Sequence, residues 1–204
     1  YVVILLSTNY VAEGDYHQGE YYFLLLSSLL GMSVMASSRD LVSIFVALEL
    51  LSVALYGLAA FHRRESVSSE AAIKYFLMGA LVSSFVLYGA ALVYGETGST
   101  TITGISAALA AGTGSPGLIF LGFLLLICGF GFKLGLVPFH AWAPDVYQGA
   151  PSPFVAFLSV APKAASAVVL ARLVILVASA PTAGDWTKLV SILGAQGVKP
   201  MGDL

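Results

Sequence analysis

Long apolar runs separated by short polar turns are the main pattern of this sequence of 204 residues. The chain opens with the apolar stretch YVVILLS, and five longer runs follow, at residues 21–36, 41–61, 71–94, 117–137 and 154–178. At a helical rise of about 1.5 Å per residue, such runs can cross a hydrocarbon core of about 30 Å. The pattern predicts an all-α, polytopic transmembrane helix bundle, with a helix stub followed by five spans.

The polar turns indicate how the spans are connected. Only SSRD separates the first two long runs, which predicts an antiparallel hairpin. The segment 95–117, GETGSTTITGISAALAAGTGSPG, predicts an extramembrane loop with a short β-like patch, and a small hairpin or a surface helix would fit there. Residues 1–180 are expected to form a single transmembrane domain, and residues 181–204 an atypical C-terminal tail.

Composition excludes several classes of protein. Hydrophobic residues make up 58% of the chain and charged residues 10%, whereas soluble domains carry about 25% charged residues. The net charge of −2 provides no basic face for nucleic acid. The single cysteine, Cys128, cannot form an intrachain disulfide and is expected to be a packing residue. No nucleotide, flavin, haem or iron–sulfur motif is present, so we expect no cofactor in this chain.

Basic residues suggest an orientation. Arg63 and Arg64 follow the second long run, whereas Arg39 stands alone in the preceding turn. By the positive-inside rule, the turn with two arginines faces the cytoplasm or matrix, so the loop at 95–116 faces outward and residues 139–152 face inward.

Charged residues within the apolar runs are the strongest functional signal. Glu49 and Lys163 lie near the middle of their spans, about ten residues from either membrane face, too far for the side chain to reach the headgroups. A charge at this depth costs about 2.5–3.5 kcal/mol on insertion scales and marks an ion path by default. Lys74 is less decisive, because it lies four residues after Glu70 and could form a simple surface pair.

Lys133 lies in the stretch FGFKLGLVPFHAW, residues 130–142, five residues before Pro138. The proline removes a backbone donor and clashes with the carbonyl of residue 134, so the helix is expected to be interrupted just after Lys133. A short second half-helix with Pro144 in its first turn would make a discontinuous helix over about 118–150. Irregular backbone at this depth survives only inside protein or beside a watery cavity, and broken helices mark ion paths.

The last span has a similar feature. Pro162 immediately precedes Lys163 and frees the carbonyl of Leu158 for water or a neighbouring side chain. His140 and Asp145 lack a third ligand for a metal site, so His140 either joins the polar path or caps backbone groups. A lysine placed between desolvation and a carboxylate such as Glu49 could take up or release a proton when its partner moves.

The stretch GFKLGLVPFHAWAPDVYQGAPSPFVAFLSVAPKAA, residues 131–165, strongly resembles the antiporter-like, proton-conducting membrane subunits of NADH–quinone oxidoreductase (respiratory complex I), and more narrowly its subunit N, also called subunit 2. The pattern PFHxWxPDVYxGAPxP is long and specific. ELLSVALYGL, residues 49–58, and SSEAAIKYFLMGALVSSFVLYGAAL, residues 68–92, are similar to the same subunits, so the likeness covers about residues 1–180.

The resemblance implies roles for individual residues. Glu49 matches the family's glutamate that pairs with the lysine of the broken helix, here Lys133; Lys163 matches a lysine of the central hydrophilic axis, and Lys74 one characteristic of this subunit. It implies proton translocation as part of an oxidoreductase whose NADH, FMN, iron–sulfur clusters and quinone are held by other subunits. The expected partners are other complex I membrane subunits and the lipid bilayer, with quinone acting indirectly, and the expected location is a bacterial inner membrane.

Two departures from the family pattern stand out. Pro162 takes a position where a hydroxyl or other small residue is usual, and the chain ends AQGVKPMGDL where the family would enter another five-helix repeat. Because the chain also begins without an initiator Met, we expect a fragment that lacks the exit half of the path and does not pump alone. An antiporter-type subunit exchanging Na⁺ for H⁺, and a structural spacer of the membrane arm that does not pump, remain alternatives.

Overall fold

The computed structural model describes residues 2–13, 17–62 and 65–178. Within these residues the chain forms eight helices and no strand. They are α1 (Val2–Glu13), α2 (Gln18–Ser37), α3 (Leu41–Ala59), α4 (Ser66–Thr97), α5 (Ile102–Ala110), α6 (Pro116–Leu134), α7 (Trp142–Gly149) and α8 (Ser152–Ala178). The expected tail at 181–204 lies outside the described residues.

Five of these helices are long and apolar enough to cross a membrane, namely α2, α3, α4, α6 and α8. They correspond to the five predicted runs, and α1 corresponds to the predicted stub, so the all-α polytopic fold is confirmed. The main difference in bounds is α4, which begins at Ser66 and is 32 residues long. Its first turns are polar, so they fell outside the apolar run that the sequence pattern detects.

The turn between α2 and α3 is joined to the loop after α4. The amide of Leu41 donates to the carbonyl of Thr100, and that of Ile102 to the carbonyl of Arg39, each at 2.9 Å. The Asp40 carboxylate accepts hydrogen bonds from the hydroxyl of Thr100 and from the amide at the start of α3. These contacts place both connections at one end of the bundle. The β-like patch is reduced to the single bridge between Asp40 and Thr101, and the surface helix is α5.

Glycines allow two helix pairs to approach closely. A Cβ on Gly31 of α2 would lie 2.7 Å from the backbone nitrogen of Leu51 in α3. Gly89 of α4 and Gly122 of α6 face each other, and a Cβ on either would lie within 2.9 Å of the other's carbonyl oxygen. Small residues permit this kind of backbone contact between membrane helices. The first of these crossings joins α2 to α3, and the second joins α4 to α6.

The discontinuous helix is present, but Pro138 does not end its first half. Helix α6 ends at Leu134 because Gly135 adopts a left-handed conformation with φ of 73°. The amide of Leu136 then donates to the carbonyl of Gly131 at 2.9 Å, which closes the helix end. The expectation that the span runs to 137 and stops at the proline was therefore wrong in its cause. The second half is α7, with Pro144 in its first turn as predicted.

Helix α8 continues through Pro162, so the backbone beside Lys163 is not broken. The proline still cannot donate to the carbonyl of Leu158. The irregularity expected at Lys163 is thus a missing hydrogen bond within a continuous helix.

Candidate functional site

The ammonium of Lys133 is buried among aromatic rings. Lys133 is 4% exposed, and its Nζ has no hydrogen-bond partner among the described residues. Nζ lies 5.2 Å from the ring centroid of Tyr56, 5.4 Å from that of Tyr75 and 5.7 Å from that of Phe132. Ring faces attract a cation, most strongly when it is desolvated. Lysine is almost never fully buried unless it is paired, so this position requires a specific explanation.

The end of α6 explains why a cation can lie there. Lys133 belongs to the last turn, where the carbonyl ends of the helix dipole favour a positive charge. The indole of Trp142, at the start of α7, donates to the carbonyl of Phe132 at 2.9 Å. Its ring stacks on Tyr75 with centroids 4.8 Å apart. Trp142 therefore ties both halves of the discontinuous helix to α4 and closes the aromatic region around Lys133.

Glu49 lies on α3, beside this region. Its carboxylate accepts a 2.5 Å hydrogen bond from the hydroxyl of Ser83 on α4. Glu49 lies seven residues before Tyr56 on the same face of α3, and the Tyr56 ring faces the Lys133 ammonium; Lys133 and Glu49 form no direct hydrogen bond in the described part of the chain. The structure therefore places Glu49 on the helix that supplies Tyr56 to the surroundings of Lys133, and the pairing of Glu49 with Lys133 stays a prediction.

Lys163 approaches the aromatic region around Lys133 from α8. Its Nζ lies 5.5 Å from the ring centroid of Tyr147 on α7, and that ring meets Trp142 edge-on at 6.3 Å. The hydroxyls of Tyr147 and Ser166 are buried without a hydrogen-bond partner within the described ranges. A buried polar group without a protein partner calls for ordered water or a functional role. Lys163 thus lies beside Tyr147, whose buried hydroxyl has no partner in the described structure, and three residues before Ser166, for which the same holds.

Lys74 lies outside this aromatic region. Its ammonium pairs with Glu70 at 2.8 Å and with Asp145 of α7 at 2.9 Å, and the Lys74 side chain is 46% exposed. The surface pair with Glu70 that the sequence allowed is present, and the second ion pair holds the first turn of α7 against α4. A part for Lys74 in ion movement stays a prediction.

His140 is exposed in the connection between α6 and α7. Its backbone carbonyl accepts from the amide of Ala143 at 3.0 Å. The participation of its imidazole in the polar path stays a prediction.

Sequence reasoning missed two groups of residues. Arg172 on α8 donates to the carbonyl of Ala36 at 2.8 Å, and so satisfies the C-terminal end of α2. Its place within an apolar run was a visible signal. The aromatic residues around Lys133 were not among the candidate residues that the sequence suggested. Tyr56 could have been found, since it lies seven residues after Glu49 and therefore on the same face of α3.

Comparisons with known proteins agree with this architecture. Residues 38–198 match the family described as NADH:quinone oxidoreductase/Mrp antiporter, TM. An NADH-quinone oxidoreductase subunit N from Sphingopyxis alaskensis is 46% identical over 199 residues, which are 97% of this chain and 40% of that protein. The subunit N from Moorella thermoacetica is 50% identical over 166 residues, 81% of this chain and 35% of that protein.

A solved structure gives the same result. One chain of the structure of respiratory complex I from Thermus thermophilus with bound aureothin is 43% identical to this chain, with a TM-score of 0.67. The match covers 88% of this chain and 40% of the Thermus chain. The chain thus spans 35–40% of the length of the relatives named here. The resemblance carried by the motif at 131–165 is confirmed, and the chain belongs to the NADH:quinone oxidoreductase/Mrp antiporter transmembrane family.

Proposed function

We propose that this chain translocates protons across the membrane as part of a subunit of an NADH:quinone oxidoreductase, with Glu49 and Lys133 as its central exchanging pair. Membership of the family supports a role in ion translocation. The observation that carries the proposal is the buried ammonium of Lys133, which lacks a hydrogen-bond partner in the described structure and faces the ring of Tyr56, seven residues after Glu49 on α3.

The pair can act as a switch because its two members are held by different helices. In general, a nearby carboxylate favours the charged form of an amine, and a dry apolar surrounding favours the neutral form. Glu49 is held on α3 by Ser83, whereas Lys133 lies in the last turn of α6, just before the break in the discontinuous helix. A small displacement of the α6 end would change the distance between the two charges and so drive uptake or release of a proton.

Lys163 is the next group on this route. Tyr147 and Trp142 separate it from Lys133, and the unpartnered hydroxyls of Tyr147 and Ser166 suit a chain of hydrogen-bonded water. We assign the groups that carry the proton beyond Lys163 to the part of the full-length relatives that this chain does not cover. The partners proposed are other membrane subunits and the bilayer of a bacterial inner membrane, with the redox cofactors and quinone in other subunits.

Substitution of Lys133 tests the proposal in the complete, assembled complex. In Lys133→Met the side chain keeps its length and loses its charge, and in Lys133→Arg it keeps a charge that cannot be released as a proton. We expect both variants to lower the rate of proton translocation into closed membrane vesicles by at least about tenfold. Quinone reduction with an uncoupler, together with subunit content on a native gel, reports assembly.

The two alternatives give different results. Normal pumping in Lys133→Met would show that the chain is a structural spacer. Normal pumping in Lys133→Arg, with loss in Lys133→Met, would show that only the fixed charge matters. The family description also includes Mrp antiporters, which favours cation exchange as a second candidate function. Transport that requires Na⁺ in liposomes containing the full-length subunit would support that candidate.

A further inference from the structure

The hydroxyl of Ser83 on α4 is bonded to another helix, whereas many helical serines of this chain bond within their own. A serine hydroxyl inside a helix commonly donates to the backbone carbonyl four residues earlier. The serines with this arrangement include Ser7, Ser33, Ser37, Ser52 and Ser84. Ser83 instead donates to the carboxylate of Glu49 on α3, at 2.5 Å.

Ser84, the next residue along α4, shows the ordinary arrangement. Its side chain is exposed, and its hydroxyl donates to the carbonyl of Ala80 at 3.1 Å. A hydroxyl has one proton to donate, so Ser83 cannot bond its own helix and Glu49 fully at the same time. A carboxylate is a stronger acceptor than a backbone carbonyl, which explains why the hydroxyl of Ser83 is directed at Glu49.

The bond between Ser83 and Glu49 belongs to a face of α4 that follows α3. Tyr75, Gly79 and Ser83 are spaced at i, i+4 and i+8, which places them on one face of the helix. Tyr75 meets the ring of Tyr56 edge-on at 4.9 Å, and Gly79 leaves room for the Tyr56 hydroxyl. Ser83 then reaches Glu49, seven residues before Tyr56. Three successive contacts therefore fix the register of α3 against α4.

The same face of α4 also borders the ammonium of Lys133. The ring centroid of Tyr75 lies 5.4 Å from its Nζ, so one helix holds a ring against Lys133 and, eight residues later, a hydroxyl against Glu49. In the part of the chain that the structure describes, Ser83 is the hydrogen-bond donor to Glu49. A glutamate side chain has several rotatable bonds and would otherwise populate many rotamers. Ser83 therefore holds the carboxylate in one place relative to α4.

We propose that Ser83 is a positioning residue for Glu49, which keeps the carboxylate in the orientation from which it exchanges protons. The inference rests on the proposed function. Ser83 carries no proton in this role, and its hydroxyl stays bonded. Without the hydroxyl, Glu49 keeps its carboxylate, but only a fraction of its rotamers is productive. Because a positioned group reacts much faster than a freely rotating one, the loss lowers the rate of proton translocation without abolishing it.

Ser83→Ala in the complete, assembled complex tests this role, with Ser84→Ala as the matched control. The two variants lose the same hydroxyl from neighbouring positions of α4, but Ser84→Ala loses only a bond within its own helix. Rates of proton translocation into closed membrane vesicles are divided by the subunit content on a native gel. We expect Ser83→Ala to be at least about threefold slower than Ser84→Ala. A smaller difference would overturn the proposal.

Ser83→Thr and Ser83→Val separate the hydroxyl from the volume of the side chain. Both add the same bulk at this position, and only threonine keeps a hydroxyl. We expect Ser83→Thr to translocate protons at least about threefold faster than Ser83→Val, whereas equal rates would show that the hydroxyl is not what matters. If Lys133→Met pumps normally, the proposed function itself fails. If Lys133→Met is impaired and Ser83→Ala equals Ser84→Ala, only the positioning role fails.

Discussion

Tyr56 and Gly79 show how one small residue can shape a functional interior. The Tyr56 ring meets Tyr75 edge-on, with centroids 4.9 Å apart, and its hydroxyl points into the space left by the missing side chain of Gly79. Lys133 lies against both rings. The position of the ammonium therefore depends on a glycine that touches no charged group.

Gly79→Ala should displace Tyr56, because the added methyl group overlaps the hydroxyl oxygen at 1.9 Å and the ring carbon bearing it at 2.7 Å. Overpacking of this kind costs about 1–3 kcal/mol, which should lower the melting temperature of the purified complex. The double variant Gly79→Ala/Tyr56→Phe lacks the closest overlap and should recover part of the loss. Gly57→Ala is a suitable comparison, since its Cβ would meet only the flexible side chain of Leu24 at 3.1 Å. Equal effects of Gly79→Ala and Gly57→Ala would contradict this explanation.

Individual charges were predictable to different degrees. Glu49 and Lys133 stood out because a charge within an apolar run is costly, and the structure places Glu49 on the helix that supplies Tyr56 to the surroundings of Lys133. The pairing of Lys74 with Glu70 follows from their spacing, but its second partner, Asp145, is 71 residues away along the chain. Only the packing of α7 on α4 brings that carboxylate close, and no local pattern encodes it.

At the scale of elements, the ends of helices hold the main departures from expectation. The stop at Leu134 was assigned to Pro138 because proline is the stronger helix breaker, whereas Gly135 closes the helix first. The turn between α2 and α3 was expected as a simple hairpin connection. It is also anchored by the segment around Thr100, because the Asp40 side chain can serve both its own helix and a distant hydroxyl.

This anchor should depend on pH. Hydrogen bonds from the Thr100 hydroxyl and from the Ser43 amide lower the pKa of Asp40 below its usual value. A lowered carboxyl pKa means that its stabilising effect is present above the unfolded value, about 3.9, and is lost as pH falls through the folded value. The melting temperature of the unsubstituted protein should therefore exceed that of Asp40→Asn at neutral pH, and the gap should close in acid.

Thr100→Val provides the matched control for this anchor. It removes the hydroxyl that donates to Asp40 and keeps the shape of the side chain. At neutral pH the melting temperature of Thr100→Val should therefore lie between those of the unsubstituted protein and Asp40→Asn, since Ser43 still donates to the carboxylate. A gap between the unsubstituted protein and Asp40→Asn that is constant with pH would exclude the carboxylate as its source.

At the scale of the whole molecule, the apolar pattern predicted the number of spans and their order, because the bilayer fixes the length of a crossing helix. It could not predict which helices touch, since lipid-facing and buried positions are equally apolar. The cluster around Lys133 depends on contacts between α3, α4, α6 and α7, so its aromatic residues were not recognisable from their own segments. Small residues at close crossings are the features that decide this arrangement.

The crossing of α4 and α6 provides the test at this scale. A Cβ on Gly89 would lie 2.6 Å from the carbonyl oxygen of Gly122, so Gly89→Ala should push the two backbones apart and loosen the surroundings of Lys133. Gly95 lies on the same helix, and a Cβ there would meet nothing within 4 Å. We expect Gly89→Ala to lower both the melting temperature and the rate of proton translocation, and Gly95→Ala to change neither beyond the small gain or loss of helix propensity. Equal behaviour of the two variants would mean that the close approach of α4 and α6 does not set the geometry of the site.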